Sequence, residues 1–112
     1  MIYRMRLDSI PFIATQKALK RIEIRLNDEK RRKLKAGDLI EFENTNTYEK
    51  MIVRIKEIRL YESMTRLASC ESFDKTGGIY MNREHWIKSI NSYYNKADQE
   101  KYGLMSIEIE LT

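Results

Sequence analysis

Lys20-Arg21-Ile22-Glu23-Ile24-Arg25-Leu26 is the stretch whose reading decides the fold. Ile22, Ile24 and Leu26 fall on one side of a period-two pattern, and Arg21, Glu23 and Arg25 on the other, as a strand with one face on a core requires. A glutamate between two arginines along a strand has two readings. One is a solvated, salt-bridged outer face, and the other is a charge-organised site.

The same alternation recurs on either side. Ile2 to Leu7 sets Tyr3, Met5 and Leu7 against Ile2, Arg4 and Arg6, a first strand with a basic outer row. Asp8-Ser9 supplies capping oxygens ahead of Pro11, which suits a first helical turn, and a helix is expected from about Pro11 to Leu19. Phe12, Ile13, Ala14 and Ala18 are its docking positions. Asn27-Asp28-Glu29 reads as a second helix start running into Lys30 to Lys35. Gly37-Asp38 is a tight turn into a strand from Leu39 to Phe42, and Asn44 to Thr47 is a polar hairpin loop before a long strand from Lys50 to about Leu60.

Ser63 to Cys70 is a short helix capped by Ser63, with Cys70 as a small apolar residue, and Gly77-Gly78 is ordinary loop chemistry without a phosphate-loop ending. From Asn82, the residues Trp86, Ile87, Ile90, Tyr93 and Tyr94 recur at helical spacing and are expected to be core. Lys96 to Tyr102 reads as a charged turn ending at Gly103, and Leu104 to Leu111 alternates as the last strand. Five strands with helices between them imply an α+β fold, a small mixed sheet curled into a partly open barrel.

At 112 residues the chain is read as one domain. One cysteine excludes an internal disulfide, and no apolar run reaches membrane-spanning length, so a reducing cytoplasm is the expected setting. The net charge of +4 is unevenly placed: residues 1–56 carry fourteen basic and eight acidic side chains, and residues 57–112 seven and nine. A basic first half attracts polyanions such as RNA.

A single histidine excludes a histidine-rich zinc site, Cys70 stands far from any second thiolate, and no G-x-S-x-G elbow is present; no metal or cofactor is expected. Lys20, Glu23 and Arg25 remain as the chemistry-bearing group. A lysine beside a carboxylate and a guanidinium can serve as base or nucleophile. The same three can instead grip a phosphate and a base edge. The cluster Lys30, Arg31, Arg32, Lys33 and Lys35 reads either as a solvated basic face or as a set of phosphate contacts.

Three motifs in order, Ala18-x-Lys20-x-x-Glu23-x-Arg25, Lys35-x-Gly37-Asp38-x-Ile40-x-Phe42 and Tyr102-Gly103-x-x-x-Ile107-x-Ile109, resemble the ASCH family from about Met5 to Ile109. The resemblance implies a PUA-like pseudo-barrel with a cleft beside the first motif that takes RNA or a nucleotide-like ligand. On this binding reading Lys20, Glu23 and Arg25 stand at the cleft, and the basic segment Lys30, Arg31, Arg32, Lys33 and Lys35 is expected to hold phosphates. Some small members are amidohydrolases acting on acetylated cytidine-type nucleosides and resemble this chain at Lys20; the alternative reading is such a hydrolase, with Lys20 as base or nucleophile and Glu23 as proton shuttle. Those members carry a threonine where this chain has Glu23, and a further glutamate ahead of the last helix, whereas Gly77 to Met81 holds no carboxylate. Ala18 replaces the family's usual glycine, which asks whether the turn before Lys20 needs a positive φ.

Overall fold

The computed structural model describes residues 1–76 and 82–112. Five strands, β1 (Ile2–Leu7), β2 (Ile22–Leu26), β3 (Leu39–Asn44), β4 (Lys50–Tyr61) and β5 (Leu104–Leu111), form one sheet in the order β1-β3-β4-β5-β2. Among the described residues, only β1 and β3 run parallel. Among the described residues four α-helices flank it: α1 (Ser9–Gln16), α2 (Met64–Cys70), α3 (Arg83–Tyr93) and α4 (Lys96–Tyr102). The expected mixed α+β barrel is present as a curled half-barrel.

Curling is helped by β4. Its pairing with β5 shifts register between Ile55 and Glu57, a bulge that increases local twist. The strict alternation expected along β4 therefore breaks at Lys56. Val53 and Ile55 face the interior before the bulge and Ile58 after it, while Arg59 and Tyr61 pass to the opposite face, where both bond to Glu71 at the end of α2.

The sheet is packed on both faces. Leu7, Phe12, Ile40, Phe42, Val53, Ile107 and their neighbours fill the concave side. Ile22, Ile24, Leu26 and Leu104 meet α2 and α3 on the other, against Leu67, Ala68 and Trp86. In register, Glu23 lies opposite Ile107 and Arg25 opposite Met105. Paired residues share a face, so the charged row of β2 points into the barrel. A solvated outer face is thereby excluded for Glu23, which is 7% exposed, and Arg25 is only partly exposed; Arg21 alone stays in solvent.

Several local expectations change. The helix expected across Lys30 to Lys35 is a single 3-10 turn, Arg31–Lys33, because Leu34 is drawn into the concave core. The Asp28 side chain accepts from the amide of its first residue, Arg31, at 3.1 Å. Conversely, the charged turn at Lys96 is helix α4, started by the Asn95 side chain and closed by Gly103 at φ +74°. Helix α1 ends three residues earlier than expected, at Gln16; Phe12, Ala14 and Thr15 dock, while Ile13 and Ala18 are exposed. On α3, Trp86 is buried but Tyr93 is exposed, and Cys70 is exposed rather than packed. The Gly77-Gly78 loop and the carboxylate-free stretch to Met81 lie outside the described residues.

Two backbone positions give a check. A Cβ on Gly103 would stand 2.7 Å from the Tyr61 carbonyl oxygen. Gly103→Ala is therefore expected to destabilise by about 2 kcal/mol or more in urea unfolding. Ala18 sits at φ +60°, so the turn does use the left-handed conformation that glycine favours. Ala18→Gly is expected to raise stability by about 0.5–1 kcal/mol, the relieved strain exceeding the added unfolded-state entropy.

Candidate functional site

The site begins where α1 ends. The amides of Leu19 and Lys20 both donate to the Ala14 carbonyl, at 2.9 and 3.1 Å, and the left-handed Ala18 just before them turns the chain toward β2. Arg21 is then pinned on both sides: its amide donates to Lys75 O at 2.7 Å and its carbonyl accepts from Ile109 N at 2.9 Å. These bonds fix the direction in which Lys20 and Glu23 leave the backbone.

Lys20 is buried and its Nζ donates to Ile22 O and to Glu23 Oε1, both at 2.9 Å. Glu23 Oε1 also accepts from the Ile24 amide at 3.2 Å. Its other oxygen accepts from Arg25 Nε at 3.3 Å and Nη2 at 2.8 Å. Each carboxylate oxygen thus receives two hydrogen bonds. Burial alone would raise the Glu23 pKa, but the adjacent Lys20 and Arg25 charges and their hydrogen bonds overcome it and hold the group at about 2. Burial would likewise lower Arg25, yet Glu23 raises it.

Arg25 does more than pair. Its Nη2 also donates to the Arg6 carbonyl on β1 at 3.0 Å. Strands β1 and β2 are the two ends of the sheet order, so one guanidinium ties the open edges of the half-barrel together. Sequence reasoning missed Arg6, placing it in the basic outer row of β1. No local pattern announces it, since only the curl of the whole sheet brings the two edges within reach.

Above this trio lies a cavity of about 890 Å³. Glu23 and Arg25 line it from β2 and Lys20 from the turn just before, Ile10 and Pro11 from α1, Trp86 and Tyr93 from α3, and Tyr94 from its C-cap. The aromatic stripe of α3 that reads as core in the sequence is therefore also a cavity wall. Burial pushes the Tyr94 hydroxyl upward, with Arg25 opposing. Among the described residues Arg25 Nη1 has no hydrogen-bond partner and Lys20 Nζ uses two of its three donors. What the cluster offers a ligand is N–H donors with one net positive charge.

Of the basic segment, Lys30 and Arg31 line an adjoining groove, while Arg32, Lys33 and Lys35 line neither space. Arg31 is held by Asp28 at 2.6 Å, and Arg32 Nε donates to Asn27 O at 2.9 Å. Among the described residues no group of three His, Cys, Asp or Glu is placed to hold a metal ion, and no helix is long and apolar enough to cross a membrane.

A family model of the ASCH domain matches residues 11–112. The chain belongs to the ASCH domain family. Two similar solved structures share 33% of their residues with this ASCH domain. One is the crystal structure of hypothetical protein PH0355, with TM-score 0.87 and 100% of each chain covered. The other is the solution structure of protein PF0455 from Pyrococcus furiosus, with TM-score 0.79 over 99% of this chain and 97% of that one. The crystal structure of an ASCH domain from Lactobacillus crispatus matches at 12% identity and TM-score 0.61, over 98% of this chain and 79% of that one, and shows the shared fold. No curated protein matches the chain closely enough to count as a relative.

In this ASCH domain the Glu23 pKa lies below its ordinary 4.5, so its contribution to stability is complete above that pH and is lost as pH falls toward 2. The loss is expected to reach about 3 kcal/mol, read as a falling urea midpoint. Glu23→Gln should flatten this acid limb and, by stranding two buried cations, destabilise the neutral-pH protein by about 3–5 kcal/mol.

Proposed function

We propose that this ASCH domain binds RNA or a nucleotide in the cavity above Lys20, Glu23 and Arg25. The observation that carries the reading is the meeting of two kinds of lining in one space. The β2 wall presents N–H donors with positive charge, and the α3 wall presents Tyr93 and Tyr94. A nucleobase needs an aromatic or apolar face for its ring, and its carbonyls or the attached phosphate need donors. Glu23, with both oxygens satisfied, orients Lys20 and Arg25 instead of meeting the ligand itself.

The same geometry favours binding over hydrolysis. An amidohydrolase route asks Lys20 for an amine free of ion-pair partners and Glu23 for an oxygen free to shuttle a proton. Here the two groups are bonded to each other, and Glu23 is held ionised.

A titration of labelled single-stranded RNA, followed by anisotropy at two salt concentrations, tests the reading. Affinity is expected to fall as salt rises. Trp86, the sole tryptophan, lines the cavity and should change its emission on binding. Tyr93 is 68% exposed, so Tyr93→Ala leaves the fold intact. Loss of its stacking is expected to weaken binding by about 1–3 kcal/mol, roughly five- to 150-fold. Arg25→Lys, which keeps a cation beside Glu23 but removes the guanidinium fork, should also weaken it. Affinity that ignores salt and both substitutions would rule the proposal out.

A further inference from the structure

The cavity does not end at Arg25. A second groove of about 540 Å³ runs along β1 and the basic 3-10 turn, and Arg6 and Arg25 line both spaces. Its cations are Arg4, Arg6, Arg25, Lys30, Arg31 and Lys50, against the carboxylates Glu41 and Glu43. The turn is tied to β1 by the Tyr3 hydroxyl, which donates to Lys33 O at 3.1 Å, so the two walls are held together.

The pairs on the groove floor are loose. Arg4 and Lys50 approach Glu41 at 3.6 and 3.9 Å, and Arg6 approaches Glu43 at 3.6 Å. The cations of these pairs are largely solvent-exposed, and such contacts contribute little and yield readily to a better anion. Lys30 makes no ion pair among the described residues, and Arg31 keeps a buried Nε donor with no acceptor there. By contrast the cavity side of the clasp is tightly bonded. The molecule therefore joins one aromatic-walled space to one cation-lined space across a shared pair of arginines.

We infer that the groove holds phosphates covalently attached to the nucleoside in the cavity, an inference that rests on the nucleotide reading above. The base lies against α3, the first phosphate meets Arg25 at the clasp, and the following phosphates lie along β1. The chemistry fits either the terminal phosphates of a nucleotide or the next phosphodiester of an RNA strand. Ligand preference then follows phosphate number: nucleosides bind weakly, and phosphorylated forms bind more tightly with steeper salt dependence.

Calorimetric titrations of the four nucleosides, the four nucleoside triphosphates, a mixed-sequence hexaribonucleotide and inorganic pyrophosphate test this on the wild type and on the double variant Arg4→Gln, Lys50→Gln. Both positions are exposed, so the variant should fold. The phosphorylated ligands are expected to bind about tenfold tighter than nucleosides and to lose most of that advantage in the variant. Nucleoside affinity should not change. A loss confined to triphosphates assigns the groove to terminal phosphates, a loss confined to the oligonucleotide assigns it to a strand, and either supports the inference. Nucleosides binding while the variant leaves every phosphorylated ligand unaffected would overturn the groove and spare the cavity. Pyrophosphate binding as tightly as triphosphates would also overturn it, since the anion site would then be independent of the base. No binding by any ligand would overturn both.

Discussion

One buried carboxylate organises this molecule. Glu23 accepts four hydrogen bonds, from Lys20, the Ile24 amide and two nitrogens of Arg25, and it does so on the concave face of the sheet among apolar neighbours. Without it two cations would face that interior unpaired; without them it would protonate. The three are stable only together. Because Arg25 is held in this way, its guanidinium is positioned to reach the Arg6 carbonyl, and the two open ends of the sheet are joined by a side chain where no strand pairing exists.

Apolar replacements of buried ion clusters are often neutral or stabilising, so stability alone does not account for the trio. Its effect on geometry does. A carboxylate saturated from four directions fixes the remaining Lys20 and Arg25 donors toward the cavity without mobile alternatives, which lowers the ordering cost of any ligand that meets them. The aromatic wall is set by α3, whose Trp86 is anchored against Ile22, Ile24 and Leu26 on the outer face of the same strand. Strand β2 thus positions both walls, one with each of its faces.

Much of this was legible before the structure. The alternation in β1, β2 and β5, the Ser63 and Asn82 caps and the grouping of Lys20, Glu23 and Arg25 are local signals, and local signals survive into the fold. What failed depended on distant contacts. Period-two alternation tells which residues share a face but not what covers it, so the charged row of β2 looked solvent-facing although the barrel encloses it. Helix α4 lacks an apolar stripe and is set instead by Asn95 and Gly103. The 3-10 turn gave up helical continuation to bury Leu34. Arg6 and the cavity-facing role of Tyr94 arise from chain closure, which no window of sequence contains.

The account rests on Glu23 being ionised inside the barrel, and a carbon-13 titration of its side-chain carboxyl by NMR reads that state without reference to stability or ligand. A midpoint near 2 is expected, with no transition through the ordinary carboxylate range. A midpoint at or above the ordinary 4.5 would contradict it, because the burial penalty would then outweigh Lys20 and Arg25 and the cluster could not hold the site in place.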